Sequence, residues 1–154
     1  MEKYYQFIQF AFTAIGTWIS AKFGILFPVL KVLLVLMIID YITGMLASKS
    51  EAIEHPHDNR YGWNSKKGAK GIMKKVGYLC VIGVAVVLDY MIVKVSGELH
   101  IEMQTAYLGV LVSIWYVLNE ALSIVENAGR MGVAVPDWLK KYIAVLQDKM
   151  KEDY

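Results

Sequence analysis

Long apolar runs separated by short charged connections fill this chain, and that pattern limits what it can fold into more than any other feature. Residues 4–21, 29–47, 76–93 and 104–126 are each uncharged or nearly so, and each approaches the length that matches a bilayer. With a rise of ~1.5 Å per residue, roughly 20 helical residues span the ~30 Å hydrocarbon core. The chain of 154 residues is 56% hydrophobic and 19% charged, below the roughly 25% charge usual in soluble domains. We therefore expect an all-α integral membrane protein built of helical hairpins, with three to four transmembrane helices. Little chain is left for a soluble domain.

The distribution of charge orients these helices. Residues 48–75 hold Lys49, Arg60, Lys66, Lys67, Lys70, Lys74 and Lys75, whereas residues 94–103 hold Lys94 alone. Because basic connections favour the cytoplasmic side, 48–75 is expected to be a basic cytoplasmic loop, and the C-terminus is expected to return to the cytoplasm. From Ser65 the lysines stand on one side of an expected helix, where Lys66, Lys67, Lys70 and Lys74 suit anionic headgroups of the inner leaflet.

Segment 4–21 is open to two readings. Gln6, Gln9, Thr13, Thr17 and Ser20 recur at helical spacing, so it either crosses the bilayer or lies in the outer interface, and its lack of a charged face favours crossing. A signal peptide fits poorly, since Lys3 sits beside Glu2 and the run contains Gln6 and Gln9. At the other end, residues 136–152 form an amphipathic cytoplasmic helix. It sets Trp138, Leu139, Tyr142 and Leu146 opposite Lys140, Lys141 and Asp148, and it could rest on the inner leaflet or self-associate.

Polar residues inside the apolar segments are the candidate functional residues, because a carboxylate at mid-membrane depth costs about 2.5–3.5 kcal/mol on insertion scales. Asp40 follows a run of aliphatic residues and needs a partner or water; Gly44 and Ser48 beyond it form a small-xxx-small pair suited to close helix packing. Asp89 lies near a helix end and is expected to reach the interface. Asn119, Ser123, Glu126 and Asn127 share one helical face, with Glu120 beside them. We expect Asp40, Gly44, Asn119, Glu120, Ser123 and Asn127 to face other copies of the chain or a pore.

No catalytic or cofactor motif emerges, so an enzyme is not expected. His55, His57 and Asp58 have no further Cys or His nearby and read as a solvated turn rather than a metal site. Cys80 is the sole cysteine and has no disulfide partner within the chain. Expected partners are the lipid bilayer and further copies of the chain, with no nucleic acid.

Several short motifs converge on one family. Asp40-Tyr41-Ile42-Thr43-Gly44, Ser65-Lys66-Lys67-Gly68 with Lys70-Gly71, Asp89, the run Asn119 to Asn127, and Gly132-Val-Ala-Val-Pro136 together resemble the toxin-secretion/phage-lysis holin family over about residues 30–146. The resemblance implies a small phage- or prophage-encoded protein of the bacterial inner membrane that accumulates, oligomerises and opens large lesions. It implies no enzymatic activity, cofactor or metal. Endolysin or a large toxin would pass out without implied direct binding. Competing readings from the residues alone are a non-lytic small ion channel or transporter subunit using Asp40 and Glu120, and a membrane adaptor acting through the tail helix.

Overall fold

The computed structural model describes residues 2–10, 13, 24–58, 61–101, 107–142 and 145. Long helices dominate these residues: α1 (Leu26–Glu54), α2 (Ser65–Glu98) and α3 (Leu108–Arg130). No strand occurs among the described residues, and residues 2–10 and 137–142 are also helical. Most of the expected first helix at 4–21, and the tail helix beyond 142 apart from Val145, lie outside the described residues.

The helices run further than the apolar segments. Residues 48–54 belong to α1 and 65–75 to α2, so the expected loop at 48–75 shrinks to a connection at 55–64. The physical reason is that a helix need not stop where hydrocarbon does. At 29 and 34 residues, α1 and α2 are about 43 and 51 Å long, well beyond a ~30 Å core, so their polar ends satisfy the backbone outside it. Asn64 starts α2 by accepting a 2.8 Å hydrogen bond from the Lys67 amide, an ordinary Asn cap. In the connection, His55 stacks on Tyr61 at 4.3 Å, and Trp63 closes over Gly68.

Helix α3 is the one around which the others pack. It lies along α1 for much of its length and against α2 over less, while α1 and α2 barely touch each other. Leu33 and Met37 of α1 meet Tyr78 and Ile82 of α2 in a small apolar core, joined by Val112, Tyr116 and Val117 of α3. Tyr78 and Tyr116 stack with centroids 3.9 Å apart, an aromatic contact worth about 0.5–1.5 kcal/mol beyond area burial. The outward surface is also apolar. Val32, Val35 and Ile38 on α1 and Val84 and Val87 on α2 are exposed, which in a soluble protein would favour aggregation and in a bilayer is the expected lipid-facing side. All three helices are long and apolar enough to cross a membrane.

Within this surface, buried hydroxyls are satisfied locally. Ser113, fully buried, donates to the Gly109 carbonyl at 2.6 Å, and Ser96 donates to the Ile92 carbonyl at 2.7 Å. Bonding back to the carbonyl one turn earlier lets serine sit in an apolar helix without an unpaired group.

Candidate functional site

A continuous polar seam runs between the three helices, one charged or amide group handing over to the next. On α2, the Lys75 ammonium donates to Asp40 Oδ2 of α1 at 2.8 Å and also to Glu120 Oε2 of α3. On α3, Asn127 Nδ2 donates to the other Asp40 oxygen, Oδ1, at 3.1 Å and to Thr43 Oγ1 at 3.3 Å. Arg130 then donates from Nη1 to Asn127 Oδ1 at 3.0 Å, and its Nε and Nη2 grip both Glu51 oxygens at 2.8 Å. Each helix thus contributes to one network.

The seam is buried where it is most charged. Glu120 is only 3% exposed, and a carboxylate so placed is tolerable only when paired and hydrogen-bonded. Asp40, Glu120 and Glu51 bring three negative charges against the two positive charges of Lys75 and Arg130, so the seam as a whole has one carboxylate in excess. A cavity of about 210 Å³ opens beside it, between Tyr41 and Ser48 of α1, Lys67 and Lys75 of α2, and Ser123 and Asn127 of α3. Asp40, Lys75, Ser123 and Asn127 set polar groups into a wall otherwise formed by residues such as Tyr41, Met45 and Trp63, and a space of this size has room for water.

The opposite end of α3 is held differently. Asp89 of α2 accepts hydrogen bonds from the backbone amides of Leu108 and Gly109, at 2.9 and 2.8 Å, and so caps the start of α3 from a neighbouring helix. A carboxylate there satisfies two of the amides that open a helix and complements its dipole. This corrects the expectation that Asp89 reaches out to the interface. Gly109 is required by the same contact: a Cβ at that position would stand 2.8 Å from Val86 Cγ2 and 3.3 Å from Asp89 Oδ2.

Of the residues singled out in the sequence, Asp40, Glu120 and Asn127 come together in the seam, and Gly44 lies against the Asn127 amide. Within the single chain they contact one another. Ser123 lines the adjoining cavity, and Asn119 is half-buried and engaged in a contact of its own. The buried face of α3 consists of Gly109, Ser113, Glu120 and Asn127, so it is turned by about one residue from the face expected through Asn119, Ser123 and Glu126. Glu126 is exposed. Among the basic residues, Lys66 and Lys70 are exposed, Lys67 donates to the Gly62 carbonyl at 3.2 Å, and the Lys74 ammonium stands 5.6 Å from the Tyr78 ring centroid.

Sequence reasoning missed Lys75 and the Glu51–Arg130 pair. Lys75 looked like one more member of a basic run, and the only available signal was that two deep carboxylates, Asp40 and Glu120, needed a cation.

Three apolar helices of membrane-spanning length, joined by an internal polar seam, define a multi-pass membrane protein. The model of the bacteriophage holin family matches residues 17–148, and the chain belongs to that family. It is similar to uncharacterised proteins of several bacteria. One from Halalkalibacterium halodurans is 30% identical over 91% of this chain and 93% of its own length. Another from Listeria monocytogenes is 31% identical over 95% and 91%. A 14.9 kDa protein from the nagH 3' region of Clostridium perfringens is 31% identical over 97% and 99%. No solved structure matches the chain.

Proposed function

We propose that the chain acts as a holin: it accumulates in the bacterial cytoplasmic membrane, assembles with further copies and opens lesions that let an endolysin, or a large toxin, leave the cell. The basic residues around the α1–α2 connection support a cytoplasmic location for that loop and for the C-terminus. In this reading the chain catalyses no reaction, and its cargo passes through without being bound.

The seam is the observation that carries the proposal. Helices with apolar outer faces insert stably as single chains, while their polar groups remain satisfied against one another. When enough copies associate, separation of α2 from the α1–α3 pair would turn Asp40, Glu120, Ser123 and Asn127 toward water without unfolding any helix. The weak contact between α1 and α2 makes α2 the natural element to move. Asn119, beside the seam, would join the wetted surface.

The test is release of a cytoplasmic reporter enzyme after induced expression in a bacterial host. Escape of the folded enzyme is expected for the native chain, whereas Asn119→Leu with Ser123→Leu should insert at equal level and release little. Leakage of small ions with retention of the enzyme would instead support a narrow channel and sink the lesion proposal.

A further inference from the structure

The start of the tail helix, residues 137–142, returns to the end of α3. After the turn at 131–136 it folds back so that the Lys140 ammonium comes within 3.9 Å of the position a Gly129 Cβ would take at the end of α3. That end of α3 is tied by Arg130 to Glu51 near the end of α1, and the first turns of α2 begin across the same connection. The start of the tail helix, the ends of α1 and α3, and the first turns of α2 therefore lie at one end of the bundle.

Their exposed side chains are of two kinds. Trp138 is 68% exposed and Tyr142 60%, and Trp63 is exposed in the α1–α2 connection. Lys141 on the tail helix and Lys66 and Lys70 on the first turns of α2 are exposed as well, and residues 61–75 contain no Asp or Glu. Asp137 opens the tail helix, where a carboxylate suits the helix dipole. Amphipathic aromatic rings interleaved with lysines are the chemistry of a membrane interface, the rings entering the headgroup layer and the ammonium groups meeting phosphate.

We infer that the tail helix and the first turns of α2 form one surface for anionic phospholipid headgroups, pinning this end of the bundle to the leaflet in which it emerges. The inference rests on the membrane-spanning reading of α1–α3 and is independent of whether lesions form. Its consequence is mechanical: α2, the helix least tied to its neighbours, is tethered to lipid at the end where the seam lies.

The experiment uses the full chain with Trp138 as sole tryptophan (Trp18→Phe, Trp63→Phe, Trp115→Phe), reconstituted into phosphatidylcholine vesicles with and without phosphatidylglycerol. Trp138 should be shielded from iodide and quenched by brominated lipid only when phosphatidylglycerol is present, and added salt should reverse the protection. Lys70→Gln with Lys141→Gln, one lysine from each element, should weaken that partitioning about 25-fold, since each lysine near an anionic surface contributes about 5-fold. Lys70→Arg with Lys141→Arg should retain it, which separates loss of charge from loss of fold. Iodide access that is the same in both vesicles would overturn the inference. So would protection that is equal in neutral vesicles and indifferent to the lysines, which would assign the helix to a protein contact. Neither readout depends on permeabilisation, so lesion formation and lipid contact can fail separately.

Discussion

At the Leu108 end of α3 a neighbouring helix grips backbone, and at the Arg130 end the neighbours grip side chains. Asp89 holds the two amides that open α3, and Gly109 lets Val86 approach to a distance no side chain would permit. At the other end Lys75, Asp40, Asn127, Arg130 and Glu51 form a relay of charges and amides. Apart from Gly109, whose lack of a side chain the contact needs, a backbone cap survives many substitutions along the helix it holds, because every residue but proline supplies an amide. A side-chain relay requires each member. The difference teaches that the helix start is fixed in place, whereas the seam is conditional on its own integrity and is the part suited to rearrangement.

The largest effect should come from the centre of the relay. Lys75→Met leaves Asp40 and Glu120 facing each other without a cation, and breaking a buried pair by removing one partner costs about 3–5 kcal/mol. Thermal unfolding of the purified protein in detergent should register that loss, and Glu120→Gln added to Lys75→Met should recover part of it by removing one stranded carboxylate. If Lys75→Met unfolds no earlier than a variant at the Glu51–Arg130 rim, the seam does not depend on its central cation.

A smaller loss is expected at the backbone-gripping end. Asp89→Ala removes the cap from the Leu108 and Gly109 amides, a change worth about 0.5–2 kcal/mol for a helix N-terminus. Hydrogen exchange should locate the damage. Amides of the first turn of α3 should exchange faster, while those around Glu120 keep their protection. Faster exchange across the whole of α3 would dissolve the distinction between the two ends.

The helices themselves were legible because bilayer length and hydropathy are local properties of a sequence. Asp40, Glu120 and Asn127 were legible as well, since a polar residue deep in an apolar run needs a reason to be there. Their mutual contact was not. Asp40 and Asn127 are 87 positions apart, and Lys75 lies 35 from Asp40 and 45 from Glu120. Only the packing of α1 and α2 on α3 brings them together. Lys75 was hidden for a further reason: its neighbours Lys66, Lys67, Lys70 and Lys74 make a run that reads as a solvated face, and the turn of α2 that carries Lys75 inward depends on where that helix begins. Asp89 was misread because depth alone suggested an interface, while its partner was backbone, which carries no residue-specific signal.

The Glu51–Arg130 pair gives the finest division of the side-chain end. Its geometry is bidentate, with Nε and Nη2 at 2.8 Å from the two carboxylate oxygens, yet the Arg130 side chain is 41% exposed. Exposed pairs contribute only about 0–1 kcal/mol because water and salt screen them, so Arg130→Gln should change unfolding little, and less still at high ionic strength. Arg130 also orients Asn127 through the 3.0 Å bond to its Oδ1, and that role is not electrostatic in the same way. Glu51→Gln removes the pair but leaves the Arg130–Asn127 bond possible, whereas Arg130→Gln removes both. A larger loss for Arg130→Gln than for Glu51→Gln would assign the excess to Asn127 and extend the relay to the end of α3. Equal losses would confine it to Asp40, Lys75, Glu120 and Asn127.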